Sequence, residues 1–364
     1  VGSFLIVLGM ASALIAWFAP PGRAMPRYSA RYGQQCALCH VNPSGAGMRT
    51  LYASQKLVPD EIAWAKGDST WKMPEPKIGK QLMIGTDFRE MRVGSSDVNQ
   101  RLNWFLMQAD LYLAFQFEPR VTLYYNRGLS GNYELFGLGY LKPTLYLKAG
   151  RFVPSYGWKF DDHTMYVRSE LGFTPPANSD VGLEAGWSPG PADIQVGLVN
   201  GSRGSTSDTD PKQAEALNAV YRWHMGPLGA SIGASGYHHP TQTHDEDTAG
   251  PYGYLSYKRL VWIGEGDVTR NKDKGGPEQQ GLVASHELSY ALTQGFDLIG
   301  TYDFFDPDRK LGTGAKSRWG GSLFFMPRPY VTLQGFVRRT TFENGVAYSG
   351  QDFWEYLFQL HLLY

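Results

Sequence analysis

From residue 79 to the end of the chain, hydrophobic and polar positions alternate with a period of two. Phe105, Met107, Ala109, Leu111, Leu113, Phe115 and Phe117 alternate with Trp104, Leu106, Gln108, Asp110, Tyr112 and Gln116. Phe296, Leu298, Tyr302 and Phe304 alternate in the same way with Asp297, Ile299, Thr301 and Asp303. A period of two places one set on each face of a β-strand, so each strand sees two environments. The pattern predicts sixteen strands, near 80–93, 102–117, 119–128, 133–141, 144–152, 180–188, 192–199, 213–224, 228–238, 250–258, 259–270, 279–292, 295–305, 315–325, 329–340 and 351–364. Their connections alternate too. Short ones lie at Glu118-Pro119, Lys142-Pro143, Ser188–Pro191, Met225–Pro227, Lys258-Arg259, Thr293–Gly295 and Met326–Pro329. Long polar ones lie at 94–101, 128–133, 153–179, 200–213, 239–249, 271–278, 306–315 and 341–350. Short turns at one end and long loops at the other mark a transmembrane barrel rather than a soluble β-sandwich, which needs no such asymmetry. The expected fold is all-β: a 16-stranded antiparallel transmembrane β-barrel over 77–364, with a small helical segment before it.

Strand parity assigns an inward face. It carries Asp87, Arg89, Asp110, Lys148, Glu184, Glu265, Asp267, Asp297, Asp303 and Arg338. Acids outnumber bases there, which would focus small cations, although a wet polar lumen is ordinary for such barrels. The longest loop, 153–179, carries Lys159, Asp161, Asp162, His163, Arg168 and Glu170, and either folds into the pore or sits in solvent. His238, His239, His244, Asp245, Glu246 and Asp247 are metal-ligand types around the 239–249 loop, where a polar loop tip would contain them as well.

Glycine is abundant, at 43 of 364 residues, and aromatics make up 14%. Both suit a β-rich chain with many turns. The 34 basic and 34 acidic residues cancel, which excludes the basic excess of a nucleic-acid binder. Residues 4–19 form one apolar run, shorter than the roughly 20 residues of a spanning helix and suited to an export signal. Pro20, Pro21 and Gly22 break it, and Gly22 and Ala24 fit a cut after Ala24, giving a signal peptide at 1–24.

The only two cysteines stand in Cys36-Ala-Leu-Cys39-His40. The Cys-x-x-Cys-His spacing is the attachment pattern of a c-type haem: one turn presents two thiols to the vinyl groups and aims the next histidine at the iron. Half of a zinc site is the rival, but no further Cys or His lies between 41 and 160. The second iron ligand is expected at Met73, in Trp-Lys-Met-Pro, with Met48 as runner-up and Met25 the third methionine nearby. The nearest other histidine, His163, is far along the chain. Methionine ligation would raise the reduction potential. The haem segment, 25–76, is too short to bury a core unaided. It precedes the first strand on the short-turn side, so it is expected to enter the lumen as a plug, the alternative being a lobe hanging below the barrel.

Three local sequences resemble known families. Gly150-Arg151-Phe152-Val153-Pro154-Ser155-Tyr156-Gly157 resembles the strand-to-loop junction of phosphate-selective-type porins, in which a long loop folds inward. Tyr356, Phe358, Leu360, Leu362 and Tyr364 resemble the last strand of outer-membrane proteins. The run from Met25 through His40, with Pro26, Tyr28, Ala30-Arg31 and Gly33 ahead of the cysteines, resembles the fused monohaem cytochrome c–porin family of the bacterial outer membrane, whose members include outer-membrane iron oxidases. After His40 the sequence departs from that family, with Val41-Asn42-Pro43-Ser44-Gly45-Ala46-Gly47-Met48 in place of Phe-Pro and an aromatic-Gly stretch. The resemblance implies an outer-membrane electron-transfer protein with one covalent haem c on Cys36, Cys39 and His40. Its partners would be a periplasmic cytochrome, an extracellular donor or acceptor such as Fe²⁺, and outer-membrane lipid. Any enzymatic role would be of the ferrous-iron:cytochrome oxidoreductase type. The competing expectation is a transport porin with a structural or regulatory haem segment.

Overall fold

A computed structural model describes residues 26–65, 75–96, 103–129, 131–205, 207–208, 210–343 and 352–364. The expected export segment 1–24, Met25 and Met73 lie outside the described residues.

Sixteen strands form the wall: β1 (Leu82–Ser95), β2 (Asn103–Glu118), β3 (Val121–Arg127), β4 (Tyr133–Lys142), β5 (Leu145–Phe152), β6 (Asp180–Trp187), β7 (Ala192–Val199) and β8 (Ala214–Met225), then β9 (Leu228–Pro240), β10 (His244–Tyr257), β11 (Leu260–Asp273), β12 (Glu278–Thr293), β13 (Phe296–Asp306), β14 (Lys316–Arg328), β15 (Val331–Phe342) and β16 (Phe353–Leu363). Each pairs antiparallel with its sequence neighbours, and β16 returns to β1, with Tyr356 opposite Gly94 and Leu362 opposite Phe88. Closure leaves no unpaired edge, which a strand in lipid could not tolerate. A two-residue strand, Lys77–Ile78, pairs with the start of β1.

The parity assignment holds. All ten residues expected inside are at most 6% exposed, whereas Phe105, Leu111 and Phe117 on the opposite parity are at least 43% exposed. Inside-polar with outside-apolar is the inverse of a soluble protein and fits a lipid-facing wall.

The structure corrects the reach of two strands. Positions 244–249 and 271–273 belong to β10 and β11, not to long loops. Polar residues extend the ladder here by pairing across strands: Arg270 reaches Asp247 and Glu278, each at 3.1 Å. His238 sits 2.6 Å from Asp247, and His244 bonds to Thr241. Among the described residues no cluster of three or more His, Cys, Asp or Glu could hold a metal ion, so this rim is a polar β-ladder.

The segment 26–65 occupies the lumen. It starts with helix α1 (Pro26–Tyr32), passes a 3₁₀ turn (Cys36–Leu38) and continues into a π-helix (Ala53–Ile62). Tyr28 donates to Asp297 at 2.7 Å, Arg31 lies 3.2 Å from the same carboxylate, and Arg27 lies 3.5 Å from Glu287. Its apolar side chains share cores with the wall: Tyr28, Cys39, Leu57, Val58 and Ile62 pack with Ile299, Phe324 and Met326. The barrel thus supplies the core this short segment lacks. Its anchors lie at the short-turn end. The Gln35 side chain donates to the Gly190 carbonyl, the Arg49 side chain to that of Pro329, and the Trp64 backbone N–H to that of Met326.

Loop 153–179 folds inward and fills the lumen from the other end. Val153, Phe160 and Met165 are fully buried. The Tyr156 hydroxyl donates to Asp267 at 2.6 Å, the Trp158 N–H to Glu265, and the Tyr166 N–H to Asp303 at 3.1 Å. The acidic lumen is therefore not an open cation-focusing surface. Asp267, Glu265, Asp303 and Asp297 hold the plug or the loop, and Asp87 and Asp110 are partnered within the wall, as buried charges must be partnered.

Leu183 faces outward from the middle of β6 and is 61% exposed. Leu183→Arg should weaken folding into vesicles by about 2–4 kcal/mol, read from urea titrations of the barrel in lipid. No measurable change would contradict a lipid-facing wall at this position.

Candidate functional site

The local chain geometry gathers the cysteines and histidine. After α1 the Gln34 N–H returns to the Ser29 carbonyl at 2.9 Å. The 3₁₀ turn follows, and the N–H groups of Cys39 and His40 both reach the Cys36 carbonyl, at 3.1 and 2.9 Å. Cys36, Cys39 and His40 thus share one turn. The chain then doubles back: the Val41 N–H donates to Met48 O at 3.0 Å and the Thr50 N–H to Cys39 O at 2.9 Å. Gly47 makes this return with φ of +68°, and a Cβ on it would collide with the Tyr124 hydroxyl. That hydroxyl in turn accepts from the Met48 N–H at 3.2 Å.

His40 Nδ1 lies 3.3 Å from the Gly47 carbonyl. A carbonyl can only accept, so this contact puts the proton on Nδ1 and leaves Nε2 with a free lone pair. Metal-ligating histidines are commonly oriented this way. Burial pushes the imidazole down to about 4, which keeps it neutral near pH 7, the form that binds metals.

Cys36, Cys39 and His40 all line one cavity of about 1300 Å³, its opening to solvent included. Neither thiol is in a disulfide. The inward loop closes the other side with Trp158, Lys159, Asp161 and His163. Lys159 is held near the plug, 3.4 Å from the Gly45 carbonyl, and burial lowers its ammonium to about 8. Two thiols outside any disulfide and an oriented imidazole, side by side on one cavity, are the donor set that a covalent c-type haem requires, and they could hold one.

Among the sequence candidates for a second ligand, Met48 is placed against the wall. It is 2% exposed, packed beside Gly85 and in one core with Tyr112. It is not among the residues that line the cavity. His163 was set aside in the sequence because of its distance along the chain, and the inward loop brings it to the cavity that His40 faces. The porin-like junction at Gly150–Gly157 was the signal that could have found it.

No family model matches this chain, and no curated protein does. Solved structures do. The chain is similar to the anion-selective porin from Comamonas acidovorans, with TM-score 0.58 and 9% identity over 78% of this chain and 99% of that one. It is similar to the outer-membrane OmpT of Vibrio cholerae, with TM-score 0.59 and 9% identity over 80% and 100%. It is also similar to OprB of Pseudomonas putida, with TM-score 0.57 and 8% identity over 78% and 94%. At such identity the likeness is one of fold: the wall has the closed antiparallel barrel fold of these porins.

Gly47→Val should loosen the 41–50 return without breaking the wall. We expect the lumen segment to become sensitive to added protease while the barrel stays folded, seen as an N-terminal trim on electrophoresis. An unaltered digestion pattern would show that the return does not hold the segment.

Proposed function

We propose that this chain is an outer-membrane porin-type barrel whose lumen carries one covalently attached c-type haem, and that it passes electrons between an extracellular partner and a periplasmic cytochrome. The observation that carries the reading is the shared turn of Cys36, Cys39 and His40 facing a cavity closed by the barrel's own inward loop. Cys36 and Cys39 would form the two thioether links, and His40 Nε2 would ligate the iron while Gly47 keeps the ring oriented. A haem there would supply the one-electron iron couple. The wall and the loop surround the site, and the segment's anchors at the short turns point it toward the periplasm. The apolar outer belt would contact outer-membrane lipid. The sequence resemblance to fused cytochrome–porins supports Fe²⁺ as a candidate external donor, with outward flow to an external acceptor as the reverse case.

The comparisons favour a second reading, a transport porin in which the haem segment is structural or regulatory. The solved structures this chain resembles are porins, and one of them is described as anion-selective. The two readings part on flux. Purified protein in liposomes should pass no sugar-sized solute if the plug and loop seal the lumen, and sustained flux would favour the porin. In the conduit reading the purified chain keeps its haem after full denaturation, and Cys36→Ser/Cys39→Ser loses it. The haem in vesicles should also be reduced within seconds by an external reductant that cannot cross the membrane. Haem that responds only from the periplasmic face would rule out inward conduction.

A further inference from the structure

We infer that His163, on the inward loop, is the second axial ligand of the haem that His40 would hold, so that the two ligands come from opposite ends of the barrel. The inference rests on the haem reading above and deepens it.

The cavity narrows the choice. The chain has eight histidines, and among the described residues only His40 and His163 line this space. His361 is 2.9 Å from Asp87, His238 is paired with Asp247, His244 bonds to threonines, and His286 stacks between Trp262 and Tyr302. His239 fits against Gly201, and His224 against Gly33. No described methionine lines the cavity.

The loop around His163 is pinned residue by residue. Arg89 donates to the Asp161 carbonyl at 2.9 Å and to its carboxylate at 3.2 Å. Arg338 donates to the Asp162 carboxylate at 2.8 Å and to the Thr164 hydroxyl at 2.7 Å. Arg318 donates to the Thr164 carbonyl at 2.6 Å. Asp161, Asp162 and Thr164 are thus tied to the wall. His163, between them, makes no hydrogen bond among the described residues, and its partly open ring borders the cavity. An imidazole left without a hydrogen bond, on a backbone fixed from both sides, is how a ligand position is preorganised. Lys159 borders the same space, but its ammonium is directed to Gly45.

The test uses the full chain matured with covalent haem and purified in detergent. Wild-type protein should show a low-spin oxidised haem without the far-red methionine–iron band. His163→Ala should turn the haem high-spin, with added imidazole restoring the low-spin signature. His163→Met should stay low-spin, gain the far-red band and move to a higher potential. Heat-dependent electrophoretic mobility reports that each variant still holds a folded barrel. A methionine–iron band in the wild type overturns the assignment. So does a low-spin haem in His163→Ala, and loss of low-spin character in Lys159→Ala alone would move the ligand to Lys159. A wild-type chain without covalent haem overturns the haem reading and this inference together. Covalent haem with an unresponsive His163→Ala overturns this inference alone.

Discussion

The structure depends on one constraint: charges that face the inside of the barrel have to find partners there. A porin-type wall turns its apolar side to lipid, so polar residues accumulate inside. Here much of that interior is filled by the chain's own segments. Lys148 and Glu184 meet at 2.7 Å with no exposure, and Lys148 also donates to Asn42 and Ser44 of the lumen segment. Asp303 accepts from Arg318 and from the Tyr166 N–H. Several inward charges pair within the wall and also reach something that is not wall. Removing one partner of such a buried pair strands the other, at a cost of about 3–5 kcal/mol, so these charges specify what fills the lumen as well as tolerate it.

From this follows the division of labour between the two fillers. The segment 26–65 enters from the short-turn end, and loop 153–179 comes from the long-loop end. Neither has enough apolar surface for a core of its own, and both borrow the wall. The space left between them is the cavity around Cys36, Cys39 and His40. It is bounded on one side by a return held by Gly47 and Tyr124, and on the other by a loop held by Arg89, Arg318 and Arg338. Those three arginines sit on β1, β14 and β15, so the position of His163 is fixed by strands far from it in sequence.

The same constraint separates the two functional readings. A transport porin needs an aqueous path. A conduit needs a dry, fixed site between two aqueous phases. Solved porins match the wall at 7–9% identity, which speaks for how the wall is built. What occupies the lumen is written in residues outside the wall pattern, in the Cys-x-x-Cys-His turn and in the loop that faces it.

Much of this was legible in the sequence, because period-two alternation reports directly on two-sided strands. The sixteen strands, the closure and all ten inward residues followed from parity alone, since moving one position along a strand flips a side chain to the other face. The shared turn of Cys36, Cys39 and His40 followed from spacing, which is a local property. Local pattern failed where polar residues continued a strand: 244–249 and 271–273 read as loops because their stability comes from cross-strand charge pairs. It also did not place His163. Proximity along the chain favoured Met73, which lies outside the described residues, and Met48, which packs against the wall. His163 reaches the cavity only because a long loop turns inward and is held there by arginines from three strands, a placement that tertiary contacts decide and local spacing does not encode.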